Sequence, residues 1–106
     1  MTTPLILSTD RRADGSLKLV ANGEIDLSNV ATFATALNTA IAGSSGAPVT
    51  VDLSAIDYLD SGGINVLFHH ADAINLVVKP LLVPVLTISG LTQLVDVSTA
   101  EAPTDA

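Results

Sequence analysis

Cysteine and tryptophan are absent from this 106-residue chain, and aromatic residues make up only 3% of it. Without cysteine there can be no disulfide, no thiol redox chemistry and no Cys-based zinc site. With so few rings, a core must be packed from Val, Leu, Ile and Ala. Basic residues are scarce as well: four stand against eleven acidic ones, a net charge of −7. A nucleic-acid binder needs clustered Lys and Arg to displace counterions from phosphates, and here Arg11 and Arg12 already account for half of the basic residues. Direct contact with DNA or RNA is not expected. An acidic protein more often meets a basic patch on a protein partner. Long apolar runs are missing too. The most apolar stretch, Ile74 to Leu86, is broken by Lys79, Pro80 and Pro84 and is too short to span a bilayer. Met1 to Leu7 is too short for a signal peptide and has no basic segment before it. These features lead us to expect a cytoplasmic protein without a membrane association.

What is present suits one folded domain. Hydrophobic residues make up 48% and charged residues 14%, enough to bury a core at this length. Leu5 to Ser8 reads as a short edge strand, Asp14-Gly15 as a turn and Leu17 to Ala21 as a second strand, with Gly23-Glu24-Ile25-Asp26 at its end. Ser28 or Asn29 is placed to cap a helix, and Val30, Phe33, Ala34, Leu37 and Ile41 fall on one helical face. Val49 to Leu53 is rich in β-branched residues and reads as a central strand. Ser54 to Leu59 reads as its connection to a second helix, whose stripe is Ile64, Leu67, Phe68 and Ala71. Ile74 to Val78 is the next strand. Pro80 suits the first turn of a third helix ending at Gly90; Pro84, one turn later, should bend that helix or delay its start. Leu94 to Val97 is a short last strand. Strands alternating with helices imply an α/β sheet, mostly parallel, with an antiparallel element at the start. The expected domain is 1–97, with 98–106 as a flexible tail.

Ser61 is the most informative position. It stands where a helix begins, with Asp60 before it and Gly62-Gly63 after it. One reading is an N-cap, the serine hydroxyl accepting from a free helical N–H. The other uses the same geometry: a phosphate on Ser61 would meet N–H donors and the positive end of the helix dipole. Gly62 and Gly63 would let another active site approach the hydroxyl, and Asp60 would oppose the added charge. A hydrolase reading needs a base within ~3 Å of the serine. The candidates are His69 and His70, and His69 lies eight residues along the same helix, ~12 Å away. Nor do the two histidines form a metal site, since adjacent helical residues diverge and no Cys or carboxylate set joins them. We expect no cofactor and no metal. Asp26 is either a solvated strand-end carboxylate or a contributor to the first helix's N-terminus.

Three ordered segments carry a family likeness. Val49-Thr50-Val51-Asp52-Leu53-Ser54 followed by Asp60-Ser61-Gly62-Gly63 resembles the signature of STAS-domain anti-sigma-factor antagonists. Gly23-Glu24-Ile25-Asp26 looks like that family's Gly-Glu-Leu-Asp segment, and Ser89-Gly90-Leu91 like its Thr/Ser-Gly-Leu segment. The resemblance implies a STAS-like mixed sheet of four to five strands, with helices packed mainly on one side. It implies a bacterial partner-switching protein, not an enzyme, acting in transcription regulation. Such a protein binds an anti-sigma factor with ATP-dependent kinase activity, releases a sigma factor, and is switched off by phosphorylation of Ser61. Asp26, Asp60, Ser61, Gly62 and Gly63 would form the partner-binding site. The alternative is a STAS-like ligand-sensing or scaffold module without the phospho-switch. Two departures stand out. The segment from Ser61 to Pro80 is shorter than the family's, which limits the second helix to ~10 residues or ~15 Å. Val83 and Pro84 stand where the family tends to be basic. The third helix has more apolar residues than one buried face can use. We expect the surplus to be exposed, which gives one reason to look for a homodimer or an apolar partner contact.

Overall fold

A computed structural model describes residues 4–100 and places five strands in one sheet, in the order β1-β2-β3-β4-β5. β1 is Ile6–Arg11 and β2 is Leu17–Ile25; they pair antiparallel through the Asp14-Gly15 turn, where Gly15 takes φ +89. That left-handed conformation costs glycine nothing. β3 (Val49–Leu59), β4 (Ile74–Val78) and β5 (Val97–Thr99) then add in parallel. The crossovers are α1 (Val30–Gly43), α2 (Ser61–His69) and α3 (Val83–Ser89). This is the mixed α/β sheet expected. No helix among the described residues is long and apolar enough to cross a membrane.

One face of the sheet is covered. Leu19, Ile25, Val51, Leu53, Leu76 and Val78 are fully or almost fully buried, together with Phe33 and Leu37 of α1 and Leu67 of α2. The opposite face carries Lys18, Val20, Asp52 and Val77, all part-exposed. Lys18 reaches Asp52 there at 3.3 Å. Three apolar residues therefore sit at the margin of the core. Val77 points to the open face because side chains alternate along a strand, and Ile64 and Phe68 are half-buried against the core's rim.

β3 is longer than its sequence suggests. It runs on through Ser54 to Leu59, the segment expected to be a connection. Its register with β2 slips twice: Val20 faces Asp52 but Asn22 faces Ala55, and Gly23 faces Ile56 but Glu24 faces Tyr58. Each slip inserts an extra residue into β3, as a β-bulge does. The bulges put Leu53, Ile56 and Leu59, three residues apart, on the same buried face. A strand with strict alternation could not do this.

Pro84 does delay the third helix. Pro80–Leu82 form a single 3-10 turn, and α3 starts at Val83 with Pro84 in its first turn, where no N–H is needed. The helix closes on Gly90 in the left-handed conformation, φ +88. Leu82 and Leu86 are buried, while Leu81, Val85 and Ile88 are exposed, the surplus expected from the sequence. The last strand lies later than expected: Ser98 and Thr99 pair with Val77 and Val78, so the anticipated boundary at residue 97 falls inside β5. The rest of the anticipated tail, 101–106, lies outside the described residues.

Candidate functional site

Parallel strands put their C-terminal ends, and the N-termini of the helices that follow them, at one end of a sheet. Here β2 and β3 finish together, since Ile25 faces Leu59 and Asp60 N–H donates to Ile25 O at 3.2 Å. Asp26 and Asp60 are the next residues on each chain. Both therefore follow directly on paired strand ends.

Asp60, not Ser61, is the cap of α2. Its backbone is extended (φ −87, ψ 179), and its Oδ1 accepts from Gly63 N–H at 3.1 Å. Ser61 is the first helical residue and is exposed. The cap reading of Ser61 is thus corrected: an aspartate one residue earlier already satisfies the donor that the serine was thought to serve. The Ser61 hydroxyl is left facing solvent, beside the positive end of the α2 dipole.

The two glycines have different reasons. Gly63 is buried, and a Cβ there would collide with the Leu59 side chain and stand 3.0 Å from Ile25 Cγ2. Its missing side chain lets α2 approach the ends of β2 and β3. Packing explains Gly63, not access to Ser61. Gly62 is looser: a Cβ would meet Asp60 Oδ1 at 3.3 Å and Val30 Cγ2 at 3.8 Å.

Neither Ser28 nor Asn29 caps α1 with its side chain. Asn29 turns backwards instead. Its Oδ1 accepts from Asp26 N–H and its Nδ2 donates to Glu24 O, each at 2.9 Å. Asp26 Oδ1 in turn accepts from Ser28 N–H at 2.9 Å and from the Ser28 hydroxyl. This loop is a closed set of hydrogen bonds that holds the half-buried Asp26 in place. Asn29 was missed as a positioning residue; an Asn three residues after an Asp at a strand end was the signal. A second brace joins the strand ends, Lys79 Nζ donating to Asp57 Oδ1 at 2.9 Å. Asp57 is the unpaired residue of the second bulge, and no local pattern links it to a lysine 22 positions away. Leu27 and Tyr58 are exposed at this same end.

The hydrolase reading finds no histidine beside Ser61. His69 closes the far end of α2 from Ser61, ~12 Å along the helix by rise alone. His69 and His70 meet edge to face, ring centres 5.5 Å apart. No group of three or more His, Asp or Glu side chains among the described residues is placed to hold a metal. The two histidines line one end of a groove of about 330 Å³ between α1 and α2, with Val30, Ala34, Gly62 and Val66.

A family profile described as "Mlab, STAS domain" matches residues 8–96. Among curated proteins none matches the chain by sequence. Among solved structures, an anti-sigma factor antagonist from Mycobacterium paratuberculosis superposes with a TM-score of 0.79 at 19% identity, over 90% of this chain and 86% of that one. The anti-sigma factor antagonist SpoIIAA in its unphosphorylated form superposes with a TM-score of 0.71 at 16% identity, over 90% and 88%. An uncharacterised protein with a SpoIIAA-like fold from Shewanella loihica superposes at 0.63 with 13% identity, over 94% and 88%. The fold is therefore SpoIIAA-like, and with its family profile covering both strand-end carboxylates and the Ser61 turn, the chain belongs to the STAS-domain family.

Proposed function

We propose that this STAS domain is an anti-sigma-factor antagonist in the bacterial cytoplasm, switched off by phosphorylation of Ser61. The observation that carries the reading is the division of labour at α2. Asp60 caps the helix, and Ser61 stands exposed at its first position with no structural duty. The likeness to two antagonist structures supports it. Unmodified, the surface formed by Asp26, Asp60, Ser61, Gly62 and Gly63 docks on an anti-sigma factor, and a sigma factor is released. The anti-sigma factor's ATP-dependent kinase activity adds phosphate to the Ser61 hydroxyl. The added charge of ~−2 next to Asp60 then disfavours docking. The chain is substrate and ligand in this cycle and performs no chemistry itself.

The test is incubation of the purified protein with candidate anti-sigma kinases and ATP, followed by mass spectrometry of the Ser61 peptide. Phosphate on Ser61 in wild type and none in Ser61→Ala is the expected result. Complete absence of modification with kinases that bind the protein would sink the switch. One observation favours a second reading: the groove between α1 and α2 is large enough to hold a small molecule. A ligand-sensing module of the same fold would then bind its anti-sigma or other partner without any change at Ser61.

A further inference from the structure

The charges of this protein are unevenly placed. None of the eleven acidic and four basic residues lies in α1, α2 or α3. At 14% charged residues overall, helices of 14, 9 and 7 residues should hold several. Surface helices ordinarily carry charges on the side facing water. Here the outer side of the helical layer is neutral throughout.

α3 is the most apolar part of that layer. Leu82 and Leu86 face the core. Leu81, Val85 and Ile88, at i, i+4 and i+7, are 74%, 40% and 86% exposed. They form an aliphatic ridge ~10 Å long, with Pro84 beside it and also exposed. Monomeric proteins seldom leave such rows of aliphatic side chains in water without use.

We infer that the ridge is a contact between two copies of this chain, related by a two-fold axis passing beside Val85. Charge identifies the occupant. A chain of net −7 repels its own copy wherever acidic residues meet. Asp26, Asp57 and Asp60 stand at one end of the sheet, and Asp72 and Asp96 line a shared hollow with Pro48 at the other. The helical layer is a face on which two copies approach without opposing like charges. A two-fold contact presents the same surface twice, so it needs a patch attractive to itself. An aliphatic ridge meets that need and an acidic patch does not. A basic partner of another kind would be drawn to the sheet ends instead. Two antiparallel α3 helices, each with the 3-10 turn that leads into it, set Val85 against its own copy and Leu81 against the other copy's Ile88. Three side chains fall short of the ~800 Å² that each partner gives to a standard interface, so the dimer forms and parts with concentration. The inference does not depend on Ser61.

Sedimentation of the wild type over a wide concentration range should show a shift from 10.8 kDa toward twice that mass. Val85→Asp and Ile88→Asp should keep the wild-type circular dichroism, because both positions are exposed, and raise the dissociation constant at least ~10-fold. Leu27→Asp is the control: Leu27 is 86% exposed but lies in the β2–α1 turn, and the variant should dimerise as the wild type does. The cysteine-free chain adds a direct readout. Val85→Cys should form a covalent dimer on mild oxidation, because Cα atoms within ~7 Å can be bridged; Leu27→Cys should not. A wild type that stays monomeric at every concentration overturns the inference and leaves the ridge to a different protein. A dimer that survives Val85→Asp, or in which Val85→Cys does not cross-link, overturns the placement of the axis and with it the ridge contact.

Discussion

Asp60 and Ser61 are neighbours with separate duties, and substitutions tell them apart. Asp60→Ala removes the acceptor of Gly63 N–H and should cost ~1 kcal/mol in denaturant unfolding. Ser61→Ala removes no acceptor, so it should change stability by less than ~0.5 kcal/mol, as exposed positions usually do. Ser61→Asp should fold equally well: its charge gains from the α2 dipole by ~0.3–1 kcal/mol and loses to the Asp60 carboxylate beside it. On the proposed function, Ser61→Asp then loses the anti-sigma partner while Ser61→Ala binds without interruption. Equal affinity of all three folded proteins for that partner would end the switch hypothesis. The glycines make a second pair. Gly63→Ala forces a methyl into Leu59 and Ile25 and should cost ~1–3 kcal/mol by overpacking. Gly62→Ala presses at 3.3 Å on Asp60 Oδ1, the capping oxygen, and meets Val30 Cγ2 at 3.8 Å, but Ala is ~1 kcal/mol the better helix former, which offsets the crowded cap. It should be neutral or stabilising in the same melt.

At the scale of elements, the open sheet face has its own pH dependence. Burial pushes the Asp52 carboxyl up, but hydrogen bonds from the Ser54 hydroxyl and backbone N–H, joined by Lys18, outweigh it and hold the pKa below the ordinary value. The folded pKa is thus the lower one. Between it and the unfolded value the unfolded chain binds more protons, so stability rises with pH across that window. The contribution is fully present above pH ~4 and is lost as pH falls through the folded pKa. Chemical denaturation at a series of acidic pH values should show this loss in wild type and a shallower one in Asp52→Asn; equal slopes would remove Asp52 from the account. The elements themselves were unequally legible. The alternation of strands and helices, the turn at Gly15, the delayed α3 and the helix start after Asp60 could be read from turn chemistry and periodicity. The second half of β3 could not, because its bulges space Leu53, Ile56 and Leu59 in threes, a pattern that period-two reasoning rejects. The same blind spot hid Asp57 and its bond to Lys79. At Ser61 the place was legible but the duty was not. Asp and Ser are comparable caps, and only the backbone geometry shows which of two adjacent residues holds that role.

The whole molecule keeps its strands in the order in which the chain is made. Each strand from β3 onward adds to an edge that already exists, and no later segment must be threaded between earlier ones. Partners are separated by a single turn or a single crossover, so the entropy of loop closure is met in small steps. A fold of this connectivity should refold quickly for a mixed α/β protein, without a populated trap. It should also open from one side. β5 is three residues long, borders β4 alone, and is the last strand among the described residues. Native-state hydrogen exchange should therefore find amides of β5 exchanging through a low-energy local opening, and those of β2 and β3 only through global unfolding. Uniform protection across the five strands would show instead that the sheet opens as one unit. If the outer strand opens first, a nascent chain can assemble β1 to β4 before β5 emerges from the ribosome, and β5 then adds to an edge that is already folded.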